Sequence, residues 1–188
     1  MNATPPLPAQ PARLDAAACR RVTQTAYTLG VPRDYGRQHA LRRMHDARDL
    51  SFIGYDIHER PQWLSPRAAR AWMRMRDVAR QAGIELQIVS AFRSVEYQLG
   101  ILQRKLDRGQ SIAEILHVSA APGYSEHHTG RALDITTPGF AALEEEFEQS
   151  RAFAWLSANA QTFGFRLSYP RGNRHGIVYE PWHWCWRR

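Results

Sequence analysis

Two short, widely separated stretches of this chain carry residue types whose spacing suits a hydrolytic metal centre. The first is Tyr124-Ser125-Glu126-His127-His128-Thr129-Gly130-Arg131-Ala132-Leu133-Asp134, and the second is Glu180-Pro181-Trp182-His183. A catalytic zinc ion takes about three protein ligands and keeps a further position open to water, whose pKa it brings down to roughly 7. His127, Asp134 and His183 would supply two imidazoles and a carboxylate. Glu180, three residues before the last of them, would take the proton from the water and deliver it to a leaving amine. Gly130 fits where the chain turns from loop into strand, because glycine reaches positive φ without penalty. The alternation Gly130, Ala132, Asp134 leaves small residues beside the carboxylate on one strand face. Each half alone has a plainer reading. With eight histidines in the chain, any one is more simply a satisfied polar residue than a ligand. An aspartate ending an apolar run is commonly a cap or turn. The argument rests on the combination.

That combination, SxHxxGxAxD followed downstream by ExWH, resembles the LAS metallopeptidases, and within them the VanY-type D-alanyl-D-alanine carboxypeptidases. Three further segments agree in order: Ser90-Ala91-Phe92-Arg93-Ser94 with Gln98 after it, Ala154-Trp155-Leu156 with Asn159-Ala160, and Gly164-Phe165-Arg166-Leu167-Ser168-Tyr169-Pro170. The resemblance covers residues 49–186. It implies zinc as the metal and peptidoglycan stem peptides as the substrate. It also implies Glu180 and Arg93 as catalytic residues, with Arg93, Gln98 and Ser125 holding the peptide; a guanidinium has the forked donors that a carboxylate or developing oxyanion needs. The expected reaction is removal of a terminal D-alanine. An L,D-carboxypeptidase, a D,D-dipeptidase or a peptidoglycan endopeptidase would use the same chemistry. A non-catalytic wall-binding module would be expected to lose Glu180 or a ligand, and both are present. His128 and His175 stay outside the ligand set: His128 reads as supporting or exposed, and His175 as a residue of a loop lining the groove.

Composition reads as one ordinary soluble globular domain. The chain has 188 residues, 44% of them hydrophobic and 23% charged, enough for a core without disulfide support. The net charge of +7 comes almost wholly from arginine, Lys105 being the only lysine, and favours an anionic partner. Residues 33–48 are basic, but no zinc-finger, helix-turn-helix or RNA-binding signature accompanies them, so nucleic acid is not expected. Carboxylate-bearing peptidoglycan stems satisfy the same charge. Cys19 and Cys185 fit no zinc spacing and leave open one terminus-to-terminus disulfide or two buried thiols. No apolar run approaches the roughly 20 residues that a bilayer needs. The first residues show no charged region followed by an apolar one, so no secretory leader is expected. The resemblance implies the cell envelope or periplasm, with the cytoplasm as the alternative.

The elements that must position these residues read as an α+β fold, a small, mostly antiparallel sheet with helices packed on it and the zinc groove on one face. Residues 1–13 read as a flexible proline-rich arm, 14–48 as a helical extension and 49–188 as the peptidase domain. Helices are expected over 14–29, from Ser65 and Pro66 to Gly83, over 94–108, 111–117, 140–149 and 151–163, with a short surface helix in 33–48. In the second of these, Ala68, Ala71, Trp72, Met75, Val78 and Ala79 recur at helical spacing as a core face. Glu144, Glu145 and Glu146 read as a solvated face. Strands are expected over 50–57, 85–91, 131–136, 165–169 and 177–186. Residues three apart in a regular strand face opposite ways, so Glu180 and His183 reach one metal only if the last strand bends, and Pro181 is the place for the bend.

Overall fold

The computed structural model describes residues 6–187, so the first five residues of the expected arm lie outside it. The elements follow in the order α1 (Ala16–Thr28), α2 (Tyr35–Gln38), β1 (Ser51–Tyr55), β2 (Pro61–Leu64), α3 (Pro66–Gln81), β3 (Gln87–Ser90), α4 (Val95–Asp107), α5 (Ile112–His117), β4 (Ala132–Thr136), α6 (Arg151–Asn159), β5 (Phe165–Leu167) and β6 (His183–Trp186). β1 and β2 form a hairpin. The other strands form one antiparallel sheet in the order β3-β4-β6-β5. This is the expected α+β arrangement.

Two apolar cores flank the junction where the site forms. In the larger, α3 and α6 cover the sheet. Trp72 and Met75 of α3 are fully buried against Leu133, Ile135, Phe165 and Trp184, and an aromatic or aliphatic side chain buried this way contributes about 1.5–3 kcal/mol. The smaller core joins α1, α2, α4 and α5 around Ala26, Tyr35, Leu102, Ile115 and Tyr124. Helix starts follow local chemistry. Asp15 accepts from the Ala18 amide at 2.7 Å, Ser94 from Tyr97 at 3.0 Å and Ser150 from Phe153 at 3.0 Å, while Ser111 and Glu114 form a reciprocal capping box. Ser65 stands at the cap of α3, but its side chain makes no cap bond. Its amide instead donates to Gly130 O at 2.8 Å.

Three expectations give way. Residues 140–149 form no α-helix, only a 3₁₀ turn over Glu145–Gln149. The stretch turns inward only at its start and near its end, with Phe140 half-buried against the core and Phe147 buried in it, while Leu143 is 44% exposed at positive φ and Glu145 and Glu148 reach out to Arg171. The three glutamates are exposed as expected. Val78 is 42% exposed, off the buried face of α3. The short surface helix expected in 33–48 is present as the single turn α2, with Arg37 and Gln38 exposed; the stretch after it has no regular structure, and Tyr35 and Asp46 are buried. The last strand starts at His183, not at residue 177. Cys19 and Cys185 are both free, buried thiols. Of the arm, Gln10 donates to Leu50 O at 3.1 Å and Arg13 to Arg48 O, which ties residues 10–13 to the body. Among the described residues no helix is long and apolar enough to cross a membrane.

Candidate active site

Asp134 and His183 are register partners in the β4–β6 ladder, so both side chains leave the same face of the sheet. The chain reaches β6 through a tight turn in which the His183 amide donates to Glu180 O at 3.1 Å. Trp184 Nε1 donates to Pro181 O at 3.0 Å, and the Ile135 amide to Trp182 O at 3.0 Å. The turn replaces a regular strand with a fold-back, and Glu180 Oε2 thereby comes within 3.6 Å of His183 Nδ1. The bend expected near Pro181 is present, and no ladder runs through both residues.

His127 arrives from the other side, on a 3₁₀ turn over Glu126–Thr129 that begins at Ser125 and ends at Gly130 with φ 62°. Its Nδ1 bonds to Ala91 O, which leaves the Nε2 lone pair free. Nε2 lies 3.2 Å from Asp134 Oδ2, off a hydrogen-bond direction, and is buried without a hydrogen-bond partner. Ligand atoms of His127, Asp134 and His183 lie within 4.8 Å of one another. An orphaned imidazole nitrogen facing a carboxylate and a second imidazole fits a divalent cation. Burial holds His127 down at about 4, so its ring is neutral, as a metal ligand must be.

The second imidazole is tethered from behind. His183 Nε2 lies 3.1 Å from Glu126 Oε2, which also accepts from Ser168 Oγ at 2.6 Å, and Arg187 binds the other oxygen of Glu126. Burial works to raise the Glu126 carboxyl, but the hydrogen bond and charge of His183, with Arg187 and Ser168, hold it at about 2. His183 is pushed up to about 10: burial opposes its charge, and hydrogen bonds to Asp134 and Glu126 outweigh it. Burial raises Glu180 to about 7 despite His183. Asp134 stays well below the usual range because His127, His183 and Arg93 outweigh its burial. Positive charge is thus favoured at His183, between two carboxylates, while His127 stays neutral. Glu126 fixes Nε2–H of His183 and turns Nδ1 toward Asp134 and Glu180, the arrangement in which a carboxylate orients a metal-binding histidine.

A cleft of about 290 Å³ opens over these residues, with Arg93, Lys105, Ser125, Tyr169 and Trp182 among its walls. Arg93 Nη1 is 3.9 Å from Asp134, and its Nε is buried without a partner. Burial, with Arg93 nearby, lowers the Lys105 ammonium, so two cations share this part of the cleft.

A family model described as VanY, D-alanyl-D-alanine carboxypeptidase, matches residues 61–188. The chain belongs to the VanY family. It is 34% identical over 157 residues to YodJ of Bacillus subtilis, a carboxypeptidase by name, with 78% of this chain and 56% of that protein covered. The chain thus spans little more than half the length of that relative. Among solved structures it resembles the LD-carboxypeptidase LdcB, at 31% identity and a TM-score of 0.68, covering 76% of this chain and 69% of that one. It also resembles the D,D-pentapeptidase VanY of a VanB-type vancomycin-resistance cassette, solved with Zn(II), at 25% identity and a TM-score of 0.58, covering 78% and 85%.

Within this VanY-family chain, the site residues read from the sequence fall unevenly around the cleft. His127, Asp134, His183, Glu180, Arg93 and Ser125 all line it. Gln98 is buried behind the wall, where its amide donates to Ser119 Oγ at 2.9 Å and Ala120 O at 3.0 Å; it fastens two residues of the lining. His175 is turned away from the cleft, its Nδ1 2.8 Å from His39 O. His128 is fully buried, because its loop is a 3₁₀ turn and not extended. Its Nδ1 pairs with Arg93 O at 2.7 Å and its Nε2 accepts from the Gly123 amide at 3.1 Å. Both bonds need the neutral Nδ1–H ring, and burial pushes its pKa down to about 3. Sequence reasoning missed Glu126 and Lys105. The adjacency of Glu126 to His127 was the one available signal, but its partner stands in the other motif.

Proposed function

We propose that this chain is a zinc peptidase that removes the terminal D-alanine from peptidoglycan stem peptides. The observation that carries the reading is the meeting of His127, Asp134 and His183 with Glu180 3.6 Å from His183 in a cleft that also holds Arg93 and Lys105. Bound there, zinc would polarise the scissile carbonyl and acidify water. Glu180 takes a proton from the attacking water and returns it to the amine of the departing D-alanine. A carboxyl raised to about 7 by burial has the affinity to do both near neutral pH. Arg93, next to Asp134, donates its fork to the developing oxyanion, while Lys105 answers the terminal carboxylate. Glu126 keeps His183 in the ligating tautomer, and His128 keeps the 123–128 loop closed on Arg93.

Mass spectrometry of a pentapeptide stem ending in D-Ala-D-Ala tests this directly. The expected result is loss of one alanine, abolished by chelator and restored by zinc. The likeness to an LD-carboxypeptidase favours one second reading, cleavage of tetrapeptide stems. Chromatography of defined tetra- and pentapeptides separates the two: an intact pentapeptide beside a shortened tetrapeptide moves the assignment to L,D specificity.

A further inference from the structure

Arg93 stands between two depressions. One is the cleft over the metal ligands, and the other, of about 620 Å³, lies on its far side between β2, α4 and residues 9–12 of the N-terminal segment. Nothing in the proposed chemistry uses this second groove, yet its walls are selective. Trp63, Phe92 and Tyr97 give it an aromatic lining, and Arg104 brings an exposed guanidinium 5.9 Å from the Tyr97 ring with no carboxylate partner among the described residues. Arg60 also lines the groove but is paired with Asp56 at 2.8 Å, and Glu96 is the one acidic side chain in the wall. With Arg93 counted, the balance is positive.

Gly100 is the most informative wall residue. It lies in the interior of α4, where glycine is disfavoured against alanine. A Cβ there would meet only the flexible end of Arg104, at 3.1 Å, so packing does not demand the glycine. What it does is let the Arg104 guanidinium lie close over the helix backbone in the groove wall.

We propose that this groove is the subsite for the upstream part of the substrate, the acidic peptide strand on the amino side of the cleaved bond, with a stem carboxylate on the Arg104 guanidinium where it lies over Gly100. The proposal rests on the peptidase reading above. An enzyme that takes the last residue into a cleft must let the rest of the chain leave it, and Arg93, common to both depressions, makes this groove the adjoining exit.

The test compares kcat/KM for L-Ala-γ-D-Glu-L-Lys-D-Ala-D-Ala with that for the same peptide carrying γ-D-Gln, which lacks the upstream charge. The zinc-loaded protein is expected to favour the acidic peptide roughly tenfold, the worth of one charge-assisted hydrogen bond. Arg104→Ala is expected to bring the ratio near one. Gly100→Leu, which fills the groove, should lower kcat/KM for both long peptides relative to diacetyl-L-Lys-D-Ala-D-Ala while the melting temperature holds or rises. An acidic preference absent from the wild type, or one that survives Arg104→Ala, overturns the proposal. If no peptide is cut at all, the peptidase reading fails instead. Isothermal titration of L-Ala-γ-D-Glu then judges the groove alone: binding lost in Arg104→Ala supports it, and no binding to the wild type overturns it.

Discussion

Asp134 and His183 are placed by a sheet, whereas His127 is placed by a loop. The first pair are cross-strand neighbours, so strand periodicity sets their common face and the ladder sets their separation. A 3₁₀ turn has no such ruler, and His127 is positioned from outside. The Met44 amide donates to Gly123 O at 2.7 Å, the Ala47 amide to His128 O at 2.8 Å and the Ser65 amide to Gly130 O at 2.8 Å, while the His128 ring ties Gly123 to Arg93. Residues 44 and 47 precede the stretch matched by the family model. One half of the site is thus a property of the sheet, and the other depends on segments wrapped around it.

The largest expected effect leaves both supports intact. Glu180→Ala should lower kcat by roughly 10² to 10⁴ while metal analysis still finds one zinc per chain. Retained turnover would remove Glu180 from the chemistry; lost zinc would mean that the turn carrying it is needed to hold His183. A smaller effect is expected on the sheet-held ligand. Glu126→Gln weakens the tether on His183 Nε2, and the zinc affinity measured by competition with a chelator should fall about 10- to 100-fold. An unchanged affinity would show that the ladder alone orients the ring.

The loop-held ligand is tested at Gly130. Its φ is 62°, and a Cβ built there would stand 2.8 Å from the Ser65 backbone nitrogen, so Gly130→Ala meets both strain and a clash that no side-chain movement relieves. A cost of about 1–3 kcal/mol in denaturant unfolding is expected, with weaker zinc binding alongside it. Lower stability with full zinc affinity would separate the loop's fold from the placement of His127 and break the comparison.

The same contrast explains how far the sequence could be read. The ladder half was legible because strand parity is arithmetic: Asp134 needed a partner strand, and Glu180 with His183 required a bend that only Pro181 offered. Gly130 was legible because positive φ selects glycine. The supports of the loop were not. Glu126 precedes one ligand but serves the other, His183, a contact that no local pattern encodes. His128 seemed to face away because its backbone was read as extended. Residues 33–48 read as a basic surface segment because the Met44 and Ala47 amides, which have no sequence signature, share the work with two buried side chains, Tyr35 and Asp46, that stand among the arginines. Residues 140–149 read as a helix on propensity, although only Phe140 and Phe147 turn toward the core and they lie seven residues apart.

Asp46 offers the smallest effect and the sharpest sign. It belongs to the wrapping segment, and its carboxylate accepts from the Val95 amide, at the start of α4 just beyond Arg93, and from the Leu14 amide, both at 2.8 Å. Burial raises its pKa, the two amide bonds oppose that, Glu96 adds to the rise and His45 subtracts from it; burial prevails and the pKa lies above the usual carboxylate value. A folded-state pKa above the unfolded one means that the native protein binds the proton more tightly. The stability contributed is fully present below the unfolded value, about 3.9, and is lost as pH rises through the folded value. Asp46→Asn carries no such titration. Melting both proteins without metal, from neutral pH down to about 4, should therefore show the wild type gaining on the variant as the pH falls. If the wild type loses ground on acidification, the two amide bonds outweigh burial, and the join between the wrapping segment and α4 is held by a charge.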